Sequence, residues 1–329
     1  MQDVNKIQDI LSDDQIIELG KLDSIAIKGI NAIEARISLG LEMFIPPRDP
    51  HVLYPQMGSL LEDYFTQFGS HVNYYGSPST GKILKITPHF LATIRNKLEN
   101  YNYKSQYNPY MFFDDKFKGD IFNASPWNNT FWGRPVEDDK LSTVWATMPL
   151  KNGSDNLHID TLLNMTLQWC NRIQPAHGNS GLYFCSTIDK SYGAKYIYAL
   201  MQRYPGIDYS NDITFVLASK GIFNRIKGIN WITILSDEIV EELGGLEYCK
   251  KQVEPECHIE KWKGGIIIIA GPLPQCGDTY CNFIPERYKK VAALTRPVRL
   301  NDYGGRKFLK LEEPFDNETE LNKWIRRFD

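Results

Sequence analysis

The chain has 329 residues, 42% hydrophobic and 23% charged, which is the composition of a soluble globular protein. Its 37 basic and 40 acidic residues leave a net charge of −3, and the lack of a basic excess argues against a nucleic-acid-binding surface. Six cysteines without an apolar leader read as thiols, and the longest apolar run, 266–270, is far short of a membrane span, so a cytoplasmic location is expected.

Taken in chain order, a short polar helix is expected around 8–19. Next comes the clearest strand, where Ala35, Ile37, Leu39, Leu41 and Met43 alternate with Arg36, Ser38, Gly40 and Glu42. The alternation predicts one buried face and one polar face, as in an antiparallel sheet. Prolines at 46 and 47 break it, and a helix follows over about 57–68. The segments HVNYYG and KILKI read as paired strands around a turn at Gly76-Ser77-Pro78, and 88–100 reads as a helix carrying Phe90, Ile94 and Leu98. Between 101 and 140 a strand is expected near 110–113 and a long loop over 123–139; the change of composition there marks a boundary near 140.

A strand follows over 141–150, then an amphipathic helix with Ile159, Leu162, Leu163, Thr166, Trp169 and Cys170 at helical spacing. GLYFCST is a short buried strand, and a helix closed by Pro205-Gly206 comes after it. In KGINWITILSDEIVEELGG a strand ends at Ser236-Asp237, where a helix starts with acidic residues in its first turn and ends at Gly244-Gly245. A fully buried strand, 265–270, and a helix opening at Pro285 follow. A terminal helix carries Leu321, Trp324, Ile325 and Phe328 on one face. Without a strict βαβ rhythm the expected class is α+β: a mixed, largely antiparallel sheet with flanking helices. It is organised as halves 1–140 and 141–329, packed either as one body or as two subdomains of similar size.

Motifs for chemistry are weak. GSPSTGK at 76–82 has the spacing of a phosphate loop, but Ile83 stands where a Mg²⁺-holding hydroxyl belongs and the next residues are strand-like, so a hairpin turn is the better reading. Cys249, Cys257, Cys276 and Cys281 miss the close pairing of zinc ligands, while Cys170 and Cys185 read as core. No cofactor is expected. His177, before a buried strand, is the most suggestive histidine, and an enzyme using it with Asp278 is the rival reading. The pairs Asp114-Asp115 and Asp138-Asp139 read as solvated, because sequence neighbours point apart.

Several stretches taken in order, LQWCNRIQPAHGNSGLYFCS, MQRYPGIDYS, IKGINWITILSDEIVEELGG, GGIIIIAGPLPQCGD, PERYKKVAALTRPVR and LNKWIRRFD, resemble the bacterial type VI secretion immunity family. The resemblance covers about 165–329 well, 33–46 and the next helix more loosely, and 100–140 least. It implies a non-enzymatic cytoplasmic protein that binds and blocks one cognate toxin. Some relatives are similar to inhibitors of virus-type replication-repair nucleases, so the toxin class implied is a DNA nuclease; contact with nucleic acid or membrane is not, and self-association into a homo-oligomer is compatible. A component of the secretion apparatus itself is the second rival. Because a nuclease cleft is basic, acidic and aromatic surface groups are the natural plug. The candidates are Asp114, Asp115, Asp138, Asp139, Asp237, Glu238, Glu241 and Glu242, with Trp127, Phe131 and Trp132 as aromatic anchors.

Overall fold

The computed structural model describes residues 18–29, 32–77, 82–115, 123–151, 156–186, 194–210, 212–307, 311 and 313–329. Its strands are β1 (Ala26–Lys28), β2 (Ile33–Ile45), β3 (Tyr74–Gly76), β4 (Ile83–Lys85), β5 (Tyr110–Phe112), β6 (Asn128–Trp132), β7 (Ser142–Met148), β8 (His177–Ser186), β9 (Asp208–Tyr209), β10 (Ile232–Ser236), β11 (His258–Trp262) and β12 (Gly265–Ile269). The helices are α1 (Pro50–Phe68), α2 (Phe90–Glu99), α3 (Ile159–Ile173), α4 (Ala194–Arg203), α5 (Asp212–Ala218), α6 (Asp237–Glu242), α7 (Leu246–Val253), α8 (Glu286–Thr295) and α9 (Asn317–Ile325).

All the strands join one sheet in the order β11-β12-β10-β8-β2-β7-β6-β5-β3-β4, with β1 on β2 and β9 on β8. Every pairing is antiparallel except β8 with β9. The α+β expectation therefore holds. The long strand β2 lies between β7 and β8, so strands from both sides of residue 140 interleave in the sheet. HVNYYG and KILKI pair as β3 and β4; most of the turn between them, 78–81, lies outside the described residues, as does 8–17 of the first expected helix.

The odd residues of β2 meet the expectation of a buried face: Leu39, Leu41 and Met43 are fully buried, and α3 packs against the strand. Burial of each such side chain contributes roughly 1.5–3 kcal/mol. The spacing read for α3 is borne out too, with Leu162, Leu163, Thr166, Trp169 and Cys170 all buried. The run Ile266, Ile267, Ile268 and Ile269 is buried on both faces, as its unbroken apolarity requires.

Three expectations need correction. The helix expected at 57–68 begins at Pro50, with Asp49 accepting from the His51 N–H at 2.9 Å; Pro50 occupies the first helical position, where its missing N–H costs nothing. The loop expected over 123–139 contains β6, whose alternation of buried Asn129 and Phe131 with half-buried Asn128, Thr130 and Trp132 is masked by Asn, Gly and Pro around it. Most consequentially, the polar face of β2 is not solvated. Ser38 and Glu42 are fully buried, and Ser210 and Lys227 from the C-terminal half close over Glu42.

That cover defines a charged core. Cross-strand register aligns Thr130, Trp145, Glu42, Asn179 and Thr233 on the second face across five strands. Lys227 Nζ donates to Glu42 Oε2 at 2.6 Å and to the Tyr209 carbonyl at 2.9 Å, and it lies 3.4 Å from Asp208. Ser210 Oγ donates to Glu42 Oε1 at 3.0 Å, and Arg327 approaches Asp208 at 3.8 Å. Farther along the face, His177 stacks on Phe44 with centroids 4.8 Å apart, and Phe215 of α5 closes over both rings. Burial raises the Glu42 carboxyl above its ordinary range, the attraction of Lys227 notwithstanding.

Candidate functional site

The acidic corner begins where β10 runs into α6. The strand end is fixed by the Ser236 N–H donating to Ala176 O at 2.9 Å and the Asp237 N–H donating to Gly264 O at 2.8 Å. Ser236 holds the N-cap position, yet its hydroxyl makes no capping bond. Ile239, Val240 and Leu243 anchor the helix in the core. Gly244 and Gly245, at φ of 107° and 86°, end it in the left-handed region that glycine enters without strain. This geometry turns Asp237, Glu238, Glu241 and Glu242 to solvent. Glu242 is held by Arg225 at 2.9 Å and Asn224 at 3.2 Å; among the described residues the other three carboxylates have no cation within 4.0 Å. Asp237 and Glu238 thus stand in the first turn, where the helix dipole favours negative charge, while Glu241 lies in the last turn with no cation partner among the described residues.

The remaining candidates divide by orientation. Asp115 and Asp139 are exposed and Asp138 is half-buried. Asp138 accepts from Gln106 at 3.0 Å and lies 3.7 Å from Arg134. Asp114 points inward, where Asn123 donates to it from its backbone N–H at 2.8 Å and from its side chain at 2.9 Å. Phe131 is fully buried on the core face of β6. Trp127 is half-buried and stacked on His71 at 4.4 Å. Trp132 faces a cavity, with its indole N–H donating to Gln106 at 2.9 Å. The groups at 138–139 and 237–242 flank one short segment: Gly221 N–H donates to Asp139 O at 3.2 Å, and Asn224 and Arg225 hold Glu242.

The cavity that Trp132 faces measures about 180 Å³ and opens on the second face of the sheet. Half-buried Tyr110, Trp132 and Trp145 form walls, exposed Ile213 forms the rim, and buried Ser210 and Asp212 lie deeper. Cys185 also lines it, and burial pushes that thiol up to about 11, out of the reactive range. Apart from Trp132, none of these residues was a candidate site residue in the sequence, and Cys185 was read there as core. They come from strands β5 to β8, the link after β9 and helix α5, so no linear spacing announces them.

The rival catalytic pair does not converge. His177 is a buried ring between Phe44 and Phe215, whereas the Asp278 carboxylate is bound by Arg203 at 2.8 Å on the surface. Among the described residues, no group of three or more His, Cys, Asp and Glu side chains is placed to hold a metal ion. Among the same residues, no helix is long and apolar enough to cross a membrane.

The fold thus presents a rigid α+β scaffold whose surface carries an acidic corner and an aromatic pocket. The TsiV family, described as type VI immunity for VRR-NUC, matches residues 61–328, and the chain belongs to this family. It is therefore an immunity protein of type VI secretion. The match includes the stretch 100–140, where the resemblance in sequence is weakest. Among solved structures, the Pseudomonas aeruginosa T6SS protein PA0821 is similar, with 15% identity, a TM-score of 0.78, and coverage of 96% of this chain and 93% of that chain. At that identity the likeness concerns the fold alone. No curated protein matches the chain.

Proposed function

We propose that the protein acts in the cytoplasm, without catalysis of its own, by binding a VRR-NUC-type nuclease toxin and covering the surface that holds nucleic acid. The observation that carries this reading is the acidic corner: Asp237, Glu238 and Glu241 stand exposed, without ion-pair partners among the described residues, on a helix locked to the sheet. A surface that binds phosphates is basic, and fixed carboxylates complement it without ordering flexible chain on association. Asp138 and Asp139 extend the same charge past the intervening segment 221–225.

Co-expression with a VRR-NUC toxin is expected to restore bacterial growth, and the two chains are expected to co-purify. Continued killing without a complex would overturn the proposal. The double variant Glu238→Lys/Glu241→Lys changes only exposed side chains. It is expected to raise the Kd by about tenfold or more, mainly through slower association, and to flatten the salt dependence of binding. Unchanged affinity across a salt series in calorimetry would move the interface away from α6.

A further inference from the structure

We infer that the trough between α7 and α8 is the docking site for one helix of the toxin, a helix that lays apolar side chains into it and carries lysine or arginine beside α6. This rests on the binding role proposed above and names the element of the partner that the acidic corner engages.

The trough measures about 330 Å³ and begins where α6 ends, at Glu242 and Leu243. The helices α7 and α8 pack side by side, and each turns one face to the opening. Tyr248 and Gln252 stand four positions apart on α7, and Lys290 stands three and four positions before Ala293 and Leu294 on α8. Leu243 and Leu294 are buried and form the floor, whereas Tyr248, Ala293 and Pro297 are exposed, so the trough is open to a partner surface. The Tyr248 ring is held against Gly244, where an added Cβ would lie 3.2 Å from it. A fixed aromatic wall loses little freedom on binding, and Tyr is among the residues that concentrate binding energy at interfaces.

Chemistry narrows the occupant. Two charged side chains line the trough, and both are matched within the chain: Glu242 by Arg225 at 2.9 Å and Lys290 by Glu256 at 2.6 Å. The interior therefore suits apolar side chains. Its walls are helices, whose backbone groups are bonded internally, so an extended segment finds no edge to pair with. A partner helix satisfies its own backbone and packs by side chains alone. Charge stands unmatched at the α6 end. Glu238 is one turn before Glu242 and three positions before Glu241, so the three share one side of α6. Neither Glu238 nor Glu241 has a cation within 4.0 Å among the described residues. A lysine or arginine on the docked helix meets these carboxylates, and an acidic residue there is repelled. A second copy of this chain does not fit, because a two-fold contact through the trough sets two acidic corners against each other.

The test uses the full chain and a VRR-NUC toxin, with binding followed by calorimetry and by association and dissociation kinetics. Ala293→Trp fills the trough from an exposed position, and Tyr248→Ala removes a wall whose residue is 48% exposed. Each is expected to raise the Kd by about tenfold or more, mainly through faster dissociation and with the salt dependence unchanged. That response differs from the slower association expected of Glu238→Lys/Glu241→Lys. A photocrosslinker in place of Ala293 is expected to capture one toxin segment that has apolar residues at helical spacing and a lysine or arginine within a further turn. If the wild-type chain binds toxin and both trough variants bind it equally well, the docking site falls while the immunity reading stands. Capture of a segment without that pattern overturns the occupant. So does self-association of the free chain that Ala293→Trp abolishes while toxin binding is unchanged. If the wild-type chain does not bind toxin, the docked helix falls together with that reading.

Discussion

Lys227→Met is expected to lower the free energy of unfolding by about 3–5 kcal/mol, read as a fall in the urea midpoint with an unchanged m-value. Lys227 is 5% exposed and is the cation nearest to Glu42, whose side chain is fully buried. Methionine preserves most of the stem and its packing, so the loss isolates the charge. Without Lys227, the second face holds Glu42 with Ser210, and Asp208 with the Tyr209 N–H and the more distant Arg327. The variant relieves this by keeping Glu42 protonated, which sets the sign of its pH dependence. Burial already raises that carboxyl, and loss of the ammonium raises it further. The native variant then binds a proton that the unfolded chain has released, so stability falls as pH rises above the ordinary carboxylate range. The deficit relative to wild type should be larger at pH 8 than at pH 6, and Glu42→Gln in the same chain should recover part of it. A loss below about 1 kcal/mol at both pH values would show that the cluster does not hold the second face together.

Acid is expected to destabilise the protein from about pH 6.5 downward, before most carboxylates titrate. His177 is pushed down to about 3, chiefly by burial and secondarily by the nearby Lys227 charge. His158 is pushed down to about 4, chiefly by burial and secondarily by His71. In both cases the unfolded chain takes up a proton that the native state refuses, so stability is present above the unfolded value and is lost as pH falls below it. The slope approaches about 1.4 kcal/mol per pH unit for each histidine. The window from pH 6.5 to about 4.5 is the informative one. Below it, carboxylates with lowered values, such as Asp278 beside Arg203 and Asp329 beside Arg299, contribute in the same direction. His177→Phe retains the stack on Phe44 and removes one titrating ring, so it should roughly halve the slope within the window. Because His177 Nε2 has no hydrogen-bond partner among the described residues, the variant forfeits no such bond at that atom. An unchanged slope would show that His177 does not titrate with folding.

The elements were legible wherever a single period dominates. The alternation in β2, the 3.6-residue spacing in α3 and the unbroken isoleucines of β12 each marked an element correctly from a dozen or so neighbouring residues, although the alternation assigned the second face of β2 to solvent, which the structure buries. The strand β6 was not legible, because turn-forming residues flank it and one of its two inward positions is Asn129. The candidate site was partly legible. The carboxylates of α6 follow from the helix itself, since Ile239, Val240 and Leu243 assign the inner face and leave the acidic positions outside. Phe131 and Trp132 illustrate the limit. Composition offers both as anchors, but successive side chains in a strand point to opposite faces, so one fills the core and the other lines the cavity.

The sequence by itself determined the α+β class, the main periodic elements and the acidic corner, because these depend on interactions within one strand, helix or turn. Only the tertiary structure decided that the polar face of β2 is interior and that an aromatic cavity opens beside it. Both depend on chain brought from far away: Lys227 lies 185 positions from Glu42, and Ser210 lies 168 positions from it. Arginine, lysine and carboxylate residues read as surface in any local window. They become core only when the fold supplies each with a partner that offsets its desolvation, and that pairing is a property of the assembled sheet.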